Sequence, residues 1–276
     1  MLLHVPRLER VTLRGLSAWT DARLSREVGV VVAFSERAGG VSEHPFAQLN
    51  LAAHVGDDPS AVDENRRRLL DLLCLAQFSD RLTVPEQTHG VSIAVVDEAS
   101  GGSGALAGRG VPPLEATDAL ITDRQGIPLM LCFADCVPVV LVAPGPAVAV
   151  VHAGWRGALA SLPGAAVDSL AYTAGCDSAE IVAYVGPHIR ACHYEVDAAL
   201  MSQFVNTFGT LARVDSEGLD LEFAVTASLI DAGVATCSIA CLGTCTAEAT
   251  KRFFSHRAEH GLTGRHAALA CILPRA

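Results

Sequence analysis

Charge is scarce in this chain, and positive charge most of all. Asp, Glu, Lys and Arg make up 18% of the residues, and 30 acids against 20 bases leave a formal net charge of −10. Such a surface lacks the broad cationic face that a phosphate backbone needs, which argues against a nucleic-acid partner. It leaves room for a local pocket that holds one small anion. Long apolar runs are missing as well. "AVAVV" and "VPVVLVA" fall far short of the roughly 20 residues that cross a bilayer, so no membrane span is expected. The stretch "MLLHVPRLERVTLRG" scatters charge where a secretory signal would carry an apolar run, and a cytoplasmic protein is expected. The nine cysteines are an odd number in a long chain, unlike a small disulfide framework, and most of them read as reduced core residues. No internal repeat is visible.

What remains is apolar. Half the residues are hydrophobic, enough for a substantial core, and no shift in composition divides the chain. A single domain over residues 1–276 is expected. "VGVVVAF" (28–34) reads as a buried strand, followed by an irregular stretch broken by Gly and Pro. Asp58 and Pro59 mark a helix start, with the acid at the N-cap and proline at the first helical position. That helix is expected to run to Gln77. Short strands are expected at "RLTV" (81–84) and "VSIAVV" (91–96), with a loop over 100–113. "IPLMLCFA", "VPVVLVA" and "AVAVVH" then succeed one another across short turns, which predicts antiparallel neighbours. Helices are expected after "HAGWRG" and at 197–208, 221–233 and 246–257. Further strands are expected at "EIVAYVG", "TCSIACL" and "HAALACIL". The mixture predicts an α/β (α+β) fold, a layered sandwich of mixed β-sheets flanked by helices.

The ends of the apolar strands carry reactive side chains. Cys136 stands just before "VPVVLVA" and His152 ends "AVAVVH". A histidine can lower a thiol's pKa and make it a nucleophile. Alternatively, both residues can ligate zinc. His89, in "PEQTHG", would complete a Cys/His/His set that leaves the metal a fourth position. Spacings of 47 and 16 residues match no local zinc motif, so the residues alone leave both chemistries open. Asp135, beside Cys136, is a candidate to orient a ligand histidine. Cys237, Cys241 and Cys245 stand four apart with no histidine or acid between them, and core packing is expected. The two histidines of "HRAEH" (256–260) lack the glutamate position of the zinc-protease motif.

Five blocks, "TDALITD", "CFADCVPVVL", "VVHAGWRG", "YVGPHIRACHYEV" and "FFSHRAEHGLTGRHA", closely resemble the YfiH-like family. This is also called the laccase-domain or multicopper polyphenol oxidase family, and its members are described as purine nucleoside phosphorylases. The upstream stretch "SERAGGVSEHPFAQLNLAAHVGDDPSAVDENRRRL" fits as well, so the resemblance covers about residues 28–273. It implies a zinc site made by His89, Cys136 and His152, and an α/β sandwich likened to a Cys–His deamidase. It also implies phosphorolysis of adenosine, inosine, guanosine and methylthioadenosine, with adenosine deamination. Phosphate needs a fork-shaped cation, and Arg37 and Arg156 are the candidates; Asn50 is the candidate for ribose or base. The chain departs from the family pattern at Glu36, where a threonine is usual. It departs again at His256 and Ala258, where a tyrosine and an arginine are usual.

Three other functions compete with the zinc phosphorylase. One is a Cys–His amide hydrolase of the peptidoglycan-editing kind, with Cys136 as nucleophile and His152 as base. Another is a copper-dependent polyphenol oxidase. Ten histidines without a single His-x-His pair fit poorly with a trinuclear copper centre. The last is an interaction module with a structural zinc, which would need a fourth protein ligand.

Overall fold

The computed structural model describes residues 4–214 and 218–274. The first three residues of the stretch tested for a signal, and the outermost residues of the expected 1–276 domain, lie outside it. The described chain opens on a hairpin, β1 (Glu9–Leu13) and β2 (Leu16–Thr20). Its two-residue turn has positive φ at both Arg14 and Gly15, the turn whose twist matches paired strands. Asp21 caps the short α1 (Ala22–Val28), accepting from the backbone of Arg23 and Leu24, and Gly29 ends it with φ of 75°. β3 (Val30–Ser35) follows, wholly buried.

α2 (Pro59–Leu72) starts where the Asp58–Pro59 signal puts it. It stops five residues short of Gln77, because the chain turns through a left-handed Cys74 and tightens into 3₁₀ geometry over 76–81. The expected strand at "RLTV" reduces to a single bridge between Thr83 and Leu129. "VSIAVV" contributes only β4 (Ile93–Val95).

The dense strand region holds β5 (Ala119–Thr122), β6 (Leu129–Phe133), β7 (Val137–Ala143) and β8 (Ala147–Ala153). β7 and β8 pair antiparallel as expected. β6 and β7 do not pair, which corrects the sequence reading. The chain leaves one sheet at Phe133 and enters another at Val137. One sheet has the order β1-β2-β3-β13-β6, with β13 at His266–Ile272, and the other β12-β9-β7-β8-β5-β4, with β9 at Val182–Val185 and β12 at Ile239–Cys241. A short turn that looks like a hairpin connection is here a crossing between layers.

After β8 come α3 (Trp155–Leu159), α4 (Leu162–Ala174) and β9 (Val182–Val185). Next are α5 (Ala198–Phe208), the two-residue strands β10 (Arg213–Val214) and β11 (Gly218–Leu219), and α6 (Leu221–Asp231). β12 (Ile239–Cys241) and β13 (His266–Ile272) complete the sheets. The helix expected at 246–257 is absent; turns take its place. Phe253, Phe254 and Ser255 are consecutive and all fully buried, and the carbonyls of Thr250 and Arg252 accept from Arg37 instead of from a following helical turn. Cys237 and Cys241 are exposed rather than packed in a core: Cys237 lies in the 3₁₀ turn before β12, and Cys241 ends β12, an edge strand.

Alternation along the strands sets the layers. Val32, Phe34, Leu131 and Ala270 meet Val140, Val142, Val148 and Val150 between the two sheets. The opposite faces of β7 and β8 pack on α4 and α6 through Val139, Leu141, Val151, Val167 and Val225. The outer face of the first sheet packs on Leu69 and Leu70 of α2. β7 and β8 are thus buried on both sides, which explains their unbroken apolar runs. Glu36 has a structural role. Buried beside β3, it accepts from Arg10, Trp19 and Arg252. Burial favours its neutral form, but these donors outweigh it and hold the carboxyl at about 2.

Candidate metal centre and its cleft

The three-residue crossing between sheets delivers Cys136 to the rim of the sandwich. His152, one residue from the end of β8, stands opposite Pro138 on the neighbouring strand. His89 arrives on a loop from elsewhere in the chain, with a left-handed backbone at φ 58°. The donor atoms of all three lie within 4.8 Å of one another. The two imidazole rings meet edge to face, with centroids 4.8 Å apart.

One buried carboxylate organises this geometry. Asp118, just before β5, accepts from the backbone N–H groups of Thr88, His89 and Gly90, and so shapes the turn that carries His89. Its Oδ1 also lies 2.8 Å from His152 Nδ1. Nδ1 therefore carries the proton, and Nε2 is left for the site. Asp118 is the orienting acid, and Asp135 is not. The Asp135 side chain accepts from the Thr246 hydroxyl and the Arg257 backbone N–H, which pins the 245–257 segment to the sheet crossing. Gly154 completes the fit, because a Cβ there would sit 3.2 Å from both Cys136 Sγ and His89 Cδ2.

Electrostatics follow from the crowding. Burial opposes the Cys136 thiolate, but His152 and His89 outweigh it and pull the thiol's pKa down. Burial likewise opposes a charged His152, yet Cys136 and Asp118 push its pKa up. One soft sulfur and two imidazoles suit zinc.

The trio opens on a cleft of about 450 Å³. Arg156, Arg257 and Arg265 bring positive charge to its walls, and Trp155 and Tyr194 bring aromatic faces. Arg156 stacks on Trp155 at 4.2 Å; among the described residues, no hydrogen bond or ion pair engages its guanidinium. Arg257 is held over Tyr194 by the carbonyls of His193 and Glu195. His256 also lines the cleft, while Ala258 is exposed outside it.

Two expected substrate residues lie elsewhere. Arg37 spends its guanidinium on the carbonyls of Ala47 and Thr250 and on Glu259, and stacks on Phe254. Asn50 is fully buried and bonds Ala52, Asp57 and the Arg265 backbone. Both hold loops together and neither lines the cleft. Asp118, Arg257 and Arg265 were missed by the sequence reading. Asp118 sits inside the "TDALITD" block, and an acid leading into a buried apolar strand was the available signal.

A family model described as multi-copper polyphenol oxidoreductase laccase matches residues 31–273. The chain is 37% identical over 245 residues to a protein of Geobacillus stearothermophilus named purine nucleoside phosphorylase YlmD, covering 86% of this chain and 88% of that one. A protein of Corynebacterium glutamicum, also named a purine nucleoside phosphorylase, is 36% identical over 243 residues, 87% of this chain and 93% of its own. The crystal structure of YlmD from Geobacillus stearothermophilus superposes with a TM-score of 0.87 at 34% identity, covering 98% of this chain and 100% of that one. The matched span takes in most of both sheets and all three donors of the cleft, and the chain belongs to the multi-copper polyphenol oxidoreductase laccase family that its motifs resemble.

Proposed function

We propose that this chain is a zinc-dependent purine nucleoside phosphorylase that also deaminates adenosine, acting on adenosine, inosine, guanosine and methylthioadenosine. The observation that carries the reading is the open Cys136/His89/His152 set in a cleft that also presents an unengaged arginine, Arg156. The names of the relatives point the same way. Zinc, when bound by the trio, supplies Lewis acidity in the cleft. The chain's own residues do the rest. Asp118 holds the His152 ring in one tautomer, Arg156 and Arg257 offer forks to phosphate, and Trp155 and Tyr194 offer faces to a flat base. In phosphorolysis a phosphate oxygen attacks C1′ of the ribose, and the bonding electrons of C1′–N9 leave with the purine. In deamination water adds at C6 and ammonia departs.

A second reading is favoured by one feature: Cys136 and His152 each stabilise the other's charged form, as a nucleophile and base in an amide hydrolase would. The copper-oxidase reading draws no such support. Among the described residues the two candidate donor groups hold two histidines and one, too few for a trinuclear centre.

Incubation with adenosine, with and without phosphate, tests the proposal. Adenine formed only with phosphate, and inosine formed without it, are expected. If neither appears, and His152→Ala behaves as the parent protein does, the nucleoside reading is overturned. Amide cleavage by metal-free protein that is abolished by stoichiometric alkylation of Cys136 would favour the hydrolase.

A further inference from the structure

Outside the cleft, a second group of donors converges that no step above uses. Cys192 and His193 lie in the turn after β9, and Cys245 and Glu248 open the irregular segment after β12. His193 Nδ1 stands 3.1 Å from Cys192 Sγ, 3.7 Å from Cys245 Sγ and 3.6 Å from Glu248 Oε1. Cys192 Sγ is 3.4 Å from the same carboxylate oxygen. All four donors fall within 4.8 Å of one another.

Hydrogen bonding alone accounts poorly for this arrangement. A ring nitrogen has either one proton or one lone pair, and Nδ1 of His193 faces two sulfurs and a carboxylate at once. A cation in the middle removes the competition, because each donor then points at the ion. Three of the four separations fall within the edges of a zinc tetrahedron, about 3.3–3.8 Å from the bond lengths, and the 3.1 Å between His193 Nδ1 and Cys192 Sγ is shorter. The Arg190 backbone N–H also points at Cys245 Sγ, at 3.4 Å, a donor suited to a metal-bound thiolate.

We propose that Cys192, His193, Cys245 and Glu248 form a second zinc site. Four protein ligands close the coordination shell, so the site is structural. It staples the 190–195 turn to the 245–257 segment. The turn carries Tyr194, and the segment carries His256 and Arg257, all of which line the cleft. Arg257 already bridges the two through the carbonyls of His193 and Glu195. The staple is a positioning device for one wall of the cleft and takes no part in bond making.

The test starts from full-length protein stripped by a chelator and reloaded with Zn²⁺ alone. Expected is one fewer zinc equivalent in Cys192→Ser/Cys245→Ser than in the parent protein. Zinc should also shield Cys192 and Cys245 from iodoacetamide, read peptide by peptide in a mass spectrometer. Co²⁺ in Cys136→Ser should still show the charge-transfer band of a two-thiolate tetrahedral ion. Equal melting temperatures of the metal-free double variant and metal-free parent would show that the fold survives. The proposal is overturned if the double variant binds as much zinc as the parent, if zinc fails to shield either cysteine, or if the two are recovered as a disulfide in zinc-loaded protein. It stands apart from the cleft's chemistry: a parent protein with a single zinc, lost in the double variant and kept in Cys136→Ser, would support the staple and sink the catalytic zinc.

Discussion

The two donor groups differ in ways that assign them different work. In the cleft, two donors stand at the ends of strands buried on both sides and the third on a loop, and one carboxylate fixes both the His152 ring and the turn that carries His89. At the surface, four donors come from two turns, and only Cys245 is buried. A group with three ligands beside an open cavity leaves room for a reactant, whereas four ligands leave none. Rigidity follows the same division. β7 and β8 hold Cys136 and His152, and each fully buried valine in them contributes roughly 1.5–3 kcal/mol relative to exposure. The second group has no such backing, and the ion itself would supply its order.

Substitutions at the two groups should therefore differ by orders of magnitude in activity. Cys136→Ser is expected to lower phosphate-dependent adenine formation by about 10³-fold while leaving the far-UV circular dichroism unchanged. Asp118→Asn should cost about 10–100-fold in activity or zinc affinity, since it loosens both histidines without removing a ligand; kcat and a zinc titration measure it. Gly154→Ala should cost about tenfold in kcat, because its Cβ pushes Cys136 and His89 apart by a few tenths of an ångström. Cys245→Ser should lower kcat/KM by about threefold, through the cleft wall alone. A loss as large as that of Cys136→Ser would erase the distinction between the groups. The smallest difference concerns pH. Protons compete with zinc for thiols, so acidification should release zinc more steeply from the two-thiol group than from the one-thiol group. Zinc release followed with a chromogenic chelator would show two phases in the parent protein and one in Cys192→Ser/Cys245→Ser.

Legibility in the sequence followed the range of the interaction. The Asp58–Pro59 helix start, the wholly buried β7 and β8 and the layered mixed fold rest on local pattern, and each appears in the structure. The helix expected at 246–257 failed because the segment's polar groups bond to the remote residues Asp135 and Arg37, and such tertiary partners override helical propensity. The assumed β6–β7 hairpin failed because a three-residue connection can turn back on one sheet or step to another, and only the burial of both faces decides. Among the site residues, Cys136, His89 and His152 were singled out by residue type and motif, and they meet. Arg37 and Asn50 were singled out on the same grounds, and their partners are backbone groups and the remote acids Glu259 and Asp57, a pairing that a sequence does not display.

The cysteine ladder makes the sharpest case. Cys237, Cys241 and Cys245 looked like one feature because they are evenly spaced, and the absence of a histidine among them argued against metal. In three dimensions the ladder comes apart, and Cys245 joins Cys192 and His193 from some fifty residues earlier. By itself, then, the sequence determined the elements whose apolar period is local, the acidic balance, and the identity of the residues able to do chemistry. The tertiary structure alone decided which of them share a site. Donor geometry depends on distances between strands and turns remote in the chain, and those distances come from how two sheets bury their faces against each other.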